Sequence, residues 1–306
     1  MKLVTYRPVP EDAARLGVLA EDLVVDVAAF GAAIGEAFPD SMLDLIDAGR
    51  PGREALAEAL EGTKGRFPIW TATARANVTL LAPIPRPRKN IFGIGLNYVE
   101  HVEESARTLD TAKDLPKQPV VFSKPPTAVI GPGDSIRHNA AITQQLDWEG
   151  ELAVIIGTRA TRVAKETALD HVFGYSILND ISARDNRRAG QWIYSKGMDS
   201  YAPFGPCIVT ADEIPDPQTL DLWLTVNGVE KQRSNTKHML FKVDHLIADL
   251  SSGITLEPGD IIASGTPAGV GAGRDPQEWM WPGDVVEAHV QGIGSLRNHV
   301  VNATDG

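Results

Sequence analysis

The chain has 306 residues, 43% of them apolar and 23% charged, with a formal net charge of −11. This length and balance suit a globular protein with a sizeable core, in two domains or in one with an appendage. The negative charge argues against nucleic acid or an anionic membrane as the main partner, but not against a small anionic substrate, because a bound cation can reverse the sign of one pocket. The lone cysteine, Cys207, cannot form an internal disulfide, so the expected compartment is the cytoplasm. In PFGPCIV it reads as a small buried hydrophobe. No stretch approaches the ~20 apolar residues of a membrane span. The opening MKLVTYRPVPEDAARL lacks the apolar core of a signal peptide.

The 28 glycines and 21 prolines favour a turn-rich β architecture over a helical bundle. KLVTYR alternates as a strand does, and RLGVLAEDLVVDV reads as two strands around a polar turn. SMLDLIDAGRPGREALAEALEG has helical spacing, interrupted at Gly49-Arg50-Pro51-Gly52. TLLAPIPRPRKN is a stiff extended connector, since proline continues neither helix nor sheet comfortably. A domain boundary is placed within residues 72–84, at residue 75. IFGIGLNYVEHVEESAR turns from an apolar strand into a helix-like polar segment. VVFSKPPTAVIGPGDSI, LDWEGELAVIIG and VFGYSILNDISARD are strand signals punctuated by Pro, Gly and acids. LWLTVNGVEKQRSNT carries an Asn-Gly hairpin signal. A short helix, a strand, a glycine-rich loop and two closing strands complete a mainly β region.

The chemistry gathers around DWEGELAVII. In a strand, residues i and i+2 share a face, so Glu149 and Glu151 would sit side by side, with Cα atoms ~7 Å apart. They would either converge on one hard cation or form a solvated strand end. Asp180 closes the apolar run ILND and offers a third carboxylate from a neighbouring strand. Three carboxylates leave open positions for oxyanion ligands, as Mg²⁺ and Mn²⁺ sites do. No His-Cys cluster competes, which disfavours zinc. His101 and Glu104 share a helix face, where a carboxylate can orient an imidazole to activate water. They would equally suit a surface helix pair. Lys196, in YSKGMDSYAPFGP, would hold a carboxylate or an enolate, or be an exposed loop lysine. Ser264, Gly265 and Thr266 would cradle a carboxylate, or make a plain turn. GIGLNY lacks the third glycine of a dinucleotide fingerprint.

In this order, GIGLNYVEHVEE, FSKPPTAVIGPGD, LDWEGELAVIIG, NDISARD, QWIYSKGMDSYAPFGP, TVNGVEKQRSNT and LEPGDIIASGTPAGVG resemble the fumarylacetoacetate hydrolase superfamily. The nearest likeness is to its acylpyruvate and fumarylpyruvate hydrolases and its 2-hydroxyhepta-2,4-diene-1,7-dioate isomerase-like members. The resemblance runs from Asn90 to Val300. It implies a β-sandwich roll catalytic domain over residues 76–306, mainly β within a mixed α+β chain, behind a small N-terminal α/β domain over 1–75. It implies Mg²⁺ or Mn²⁺ on Glu149, Glu151 and Asp180, and His101 and Glu104 on a mobile lid. Lys196 would contact substrate, Arg184 would stand beside the metal, and Thr266 would bind a substrate carboxylate. Arg187 and Gln191 complete the implied substrate-binding set. A homodimer is also implied. The expected reaction is C–C hydrolysis of a 2,4-dioxo acid such as an acylpyruvate or fumarylpyruvate. Oxaloacetate decarboxylation or isomerisation of a 2-oxo diacid is the alternative on the same site, and a non-catalytic binding protein is a remote one. The chain departs from the family at Arg187, where relatives often carry glutamine. It departs again at Ser200, Tyr201 and Ala202, where Thr, Phe and Cys are common.

Overall fold

The computed structural model describes residues 1–108, 114–188 and 190–303. The strand Gly150–Ile156 lies near the middle of the main sheet, between Val172–Asn179 and Ile261–Ala263, and is antiparallel to both. Its run GELAVII is buried at every position. Leu152, Val154 and Ile156 enter one hydrophobic cluster, and Ala153 and Ile155 enter another. The period-2 alternation of a strand therefore divides two cores, which explains why both sets of side chains are apolar.

From Val172–Asn179 the sheet continues through Ala202–Thr210 to Lys2–Arg7, Arg15–Ala20, Leu23–Asp26 and Ala72–Ala74. On the other side it runs through Ile261–Ala263 to Ile91–Gly95 and Val120–Lys124. Lys2–Arg7 pairs antiparallel with Ala202–Thr210, with Leu3 opposite Ile208. The sheet thus runs unbroken across the boundary drawn at residue 75. Phe30, Met42, Leu45 and Leu56, from the helices Val27–Ile34, Met42–Asp47 and Gly49–Gly62, cover one face together with Ile155, Phe173 and Ile208. Ser41 and Asp26 cap two of these helices through their side chains.

The opposite face meets a five-stranded sheet, in the order Val229–Asn235, Asp221–Val226, Val285–Val290, Gly294–Asn302 and Ser135–His138. Leu222, Leu224, Ala288 and Leu296 from that sheet pack with Leu152 and Val154. Asn227 and Gly228 have φ of 52° and 75° and join Val226 to its partner Val229, as a two-residue hairpin turn requires. Cys207 is buried, as its flanks predict. Among the described residues, no helix is long and apolar enough to cross a membrane.

Strand spacing at the centre is tight. A Cβ on Gly174 would lie 2.3 Å from the Val209 carbonyl oxygen, which is backbone of the neighbouring strand and cannot move cheaply. Gly174→Ala is expected to lower stability by about 1–3 kcal/mol, read as a lower urea midpoint with an unchanged slope.

Candidate metal centre and active-site cleft

The register of the two central strands builds the site. Gly150 pairs with Asn179, so the residues just outside the pair, Glu149 and Asp180, meet at the strand ends. The Asp180 amide donates to the Glu149 carbonyl at 2.8 Å, and Asn179 Oδ1 accepts from the Glu149 amide at 3.0 Å. Ligand atoms of Glu149, Glu151 and Asp180 lie within 4.8 Å of one another, and all three residues are buried. A solvated strand end is therefore ruled out.

Three cations enter this cluster. Lys196 Nζ donates to Glu149 Oε2 at 2.8 Å, to Asp180 Oδ2 at 2.6 Å and to Ser182 Oγ at 3.0 Å. Lys124 Nζ donates to Asp180 Oδ1 and to the Lys196 carbonyl. Arg184 Nη2 lies 2.6 Å from Glu149 Oε1, while its Nε donates to Asp147 Oδ2 at 2.8 Å. Lys196 thus binds the acids directly and still lines the cleft. Lys124 and Asp147 were missed as site residues, although both stand in quoted motifs. Asp147 has the parity of Glu149 and Glu151 in LDWEGE, and Lys124 ends an apolar strand just before Pro-Pro.

The charges do not balance. Glu151 Oε2 accepts from the Gly265 amide at 2.9 Å, but no lysine or arginine pairs with it among the described residues. Burial, then Asp180 and Glu149, push its carboxyl well above the usual range. Burial also opposes ionisation of Glu149, but Lys196, Arg184 and His101 outweigh it and hold that carboxyl well below the usual range. Burial drives the Lys124 ammonium down, against the pull of Asp180. Lys196 is raised despite its burial, because Asp180 and Glu149 favour its charge. Such a set of oxygen donors, carrying excess negative charge, fits a hard divalent cation. Glu149, Glu151 and Asp180 are the residues that would hold it.

A cleft partly open to solvent lies beside the cluster. His101, Ser105, Glu149, Arg184, Arg187 and Lys196 line it, with Thr266 at one side. The helix Val99–Thr108 supplies His101 and Glu104. His101 Nδ1 lies 3.1 Å from Glu104 Oε2, and both residues are buried. Glu104 Oε1 also accepts from the Gly269 amide at 2.9 Å. This is a built pair rather than a surface helix contact. Asn97, just before the helix, fixes its start by donating to the carbonyls of Phe241 and Ser264 at 2.9 and 2.7 Å.

The arginine guanidinium of Arg187 stacks over Trp192 at 4.8 Å, and has no hydrogen-bond or ion-pair partner among the described residues. Burial, then Arg184, lower its pKa, against the pull of Glu149, and the residue lines the cleft. Thr266 is buried; its hydroxyl donates to the Gly150 carbonyl at 3.1 Å and accepts from Gln232 Nε2 at 2.8 Å. Gln191 is not brought to the site. It is exposed, paired through a bridge to Arg188, and absent from the cleft lining. Ser200 holds the Arg137 amide at 2.8 Å, and Tyr201 and Ala202 are core residues, so these three departures from the family lie outside the cleft lining.

Residues 90–301 match the family described as fumarylacetoacetate (FAA) hydrolase C-terminal. The chain belongs to this family. It is accordingly an enzyme with a buried acidic site able to take a metal. The oxaloacetate tautomerase YisK of Bacillus subtilis is 45% identical over 226 residues, covering 74% of each chain. The mitochondrial oxaloacetate tautomerase fahd2 of Xenopus laevis is 36% identical over 306 residues, covering 98% of this chain and 90% of that one. The maleylpyruvate hydrolase of Sphingobium sp. SYK-6, solved with manganese(II) and pyruvate, superposes with a TM-score of 0.77 at 32% identity and covers 99% of both chains.

The charge excess fixes the sign of one test. Because Glu151 is raised in the fold, its contribution to stability is full at acid pH and is lost as pH rises through its folded value. At neutral pH and above, its ionised form is a liability that a cation relieves. Glu151→Gln keeps an acceptor for the Gly265 amide and removes that charge. Without metal it is expected to be at least as stable as wild type in mildly alkaline buffer. Mn²⁺ at about 100 times its dissociation constant should add about 2.7 kcal/mol to wild type and nothing to the variant. Thermal unfolding with and without Mn²⁺ checks both.

Proposed function

We propose that this enzyme interconverts the keto and enol forms of oxaloacetate with Mg²⁺ or Mn²⁺ as cofactor. The observation that carries this reading is the placement of His101, held by Glu104, on the wall of a cleft that Glu149 of the acidic cluster also lines. A proton-transfer base and a cation-binding cluster thus face one small space. The likeness to two oxaloacetate tautomerases supports the choice of reaction and substrate.

A cation on Glu149, Glu151 and Asp180 would supply Lewis acidity, lowering the cost of negative charge on the 2-oxo oxygen. The rest falls to the chain. The contact of Nδ1 with Glu104 leaves Nε2 of His101 as the atom to act as base, in the tautomer that carries the proton on Nδ1. Nε2 takes one proton from the carbon beside the 2-oxo group and returns one to the oxygen. The C–H pair becomes the C=C bond, and the C=O pair takes the proton as O–H. No water is consumed. Lys196 and Arg184 favour the ionised form of Glu149 and offset charge that develops next to them. Arg187 binds the far carboxylate of the diacid, which explains how a chain of net charge −11 attracts an anion.

The hydrolytic reading is favoured by the likeness to the Sphingobium maleylpyruvate hydrolase. On that reading, the same His101–Glu104 pair would activate water against the distal carbonyl of a 2,4-dioxo acid. The products separate the two. Tautomerisation leaves the carbon skeleton intact, whereas hydrolysis of acetylpyruvate releases pyruvate.

In D₂O, the Mn²⁺-loaded enzyme is expected to wash deuterium into the methylene of oxaloacetate. His101→Ala should slow this about 10²- to 10⁴-fold; an unchanged rate would remove His101 from the reaction, and pyruvate release from acetylpyruvate without exchange in oxaloacetate would favour hydrolysis. Arg187→Gln should raise KM for oxaloacetate about tenfold or more, the loss of one charged hydrogen bond, while KM for a monocarboxylate 2-oxo acid stays put. An equal effect on both substrates would contradict the role given to Arg187.

A further inference from the structure

Asp147 is not a metal-cluster residue, yet it is buried and holds four donors. Its Oδ1 accepts from the amides of Trp148 and Gly271 at 2.8 and 2.6 Å. Its Oδ2 accepts from the Ala272 amide at 3.0 Å and from Arg184 Nε at 2.8 Å. The same Arg184 reaches Glu149 with Nη2. The loop Gly269–Gly273 that Asp147 grips is also the seat of Glu104. The Gly269 amide donates to Glu104 Oε1, and Trp148 Nε1 holds the Gly269 carbonyl at 3.1 Å. At Gly273 an added Cβ would fall 2.0 Å from the Glu104 carboxyl carbon. Gly273 has no positive φ, so its missing side chain serves space for Glu104 rather than a backbone turn.

We infer that Asp147 is a positioning residue that links the acidic cluster to the catalytic base: through Arg184 it fixes the position of the Glu149 carboxylate, and through the loop 269–273 it seats Glu104 and hence His101. This rests on the proposed role of the His101–Glu104 pair, but not on which substrate the pair serves. An acid is needed at this position. A neutral amide of the same shape would turn its NH2 either toward the Ala272 amide and Arg184 or toward the Trp148 and Gly271 amides, all of which are donors. Freed of Asp147, Arg184 would pair with Glu149 alone and compete more strongly with a cation there.

Two variants of the full chain separate the halves of this link. Gly273→Ala disturbs Glu104 without touching Arg184. It should lower kcat on oxaloacetate about 10- to 100-fold, leave KM and Mn²⁺ affinity as in wild type, and speed deuterium uptake by the amides of residues 99–105. Asp147→Asn should do the same to kcat and exchange, and in addition weaken Mn²⁺ binding about tenfold by calorimetry. A purely structural role would lower stability and leave Mn²⁺ affinity and local exchange alone. A folded Asp147→Asn protein with wild-type Mn²⁺ affinity and wild-type exchange over residues 99–105 overturns the inference. If Asp147→Asn does not fold, Gly273→Ala with unchanged exchange and unchanged kcat overturns it. Exchange and metal affinity need no substrate. If oxaloacetate is not turned over at all, the functional reading fails while these two readouts still judge the link.

Discussion

Four acids, Asp147, Glu149, Glu151 and Asp180, are buried in one network in which, among the described residues, Lys124, Lys196 and Arg184 are the lysines and arginines paired with them. Close buried carboxylates repel by about 3 kcal/mol per pair even at an effective dielectric constant of about 20. A chain that keeps such an arrangement must hold it by force from outside. Here the force comes from the sheet. Two long apolar strands, Gly150–Ile156 and Val172–Asn179, are clamped on both faces by hydrophobic cores and end together at the cluster. The cores supply the free energy, and the strand ends spend part of it on position.

The excess charge falls on Glu151, the acid without a cationic partner among the described residues. Glu149 and Asp180, by contrast, are each tied to lysine, and Glu149 to arginine as well. The cluster is thus primed for a cation without being satisfied by the protein alone. Lys196, Arg184 and Arg187 give the cleft a positive lining within a negative chain. Proton transfer chemistry needs both features: a place for developing negative charge, and a base at a fixed height above it. The base sits on a separate helix, which is seated on a loop that the acidic network itself grips.

Much of this was legible in the sequence, because it follows local rules. The strand parity of Glu149 and Glu151, the i,i+3 spacing of His101 and Glu104 and the Asn-Gly hairpin all depend on residues close in the chain; the helix break expected at Gly49-Arg50-Pro51-Gly52 instead falls at Ala48, and those four residues open the next helix, whose first turn tolerates proline. What was hidden depends on partners far away. Lys124 meets Asp180 across 56 residues, and Gly271 meets Asp147 across 124. No period or spacing announces such contacts, so a lysine before Pro-Pro and a first acid in LDWEGE passed as scaffold. The sheet that joins Lys2–Arg7 to Ala202–Thr210 was hidden for the same reason, and composition alone suggested a boundary there. Gln191 stands in a family-like motif but is exposed and does not line the cleft.

The account stands or falls on where a cation binds. Anomalous diffraction from crystals grown with Mn²⁺ measures this directly. The account predicts one strong peak bounded by carboxylate oxygens of Glu149, Glu151 and Asp180, with the Lys196 ammonium shifted from its present bridge between Glu149 and Asp180. A protein saturated with Mn²⁺ that shows no peak there, with Lys196 still seated between the two acids, would contradict it.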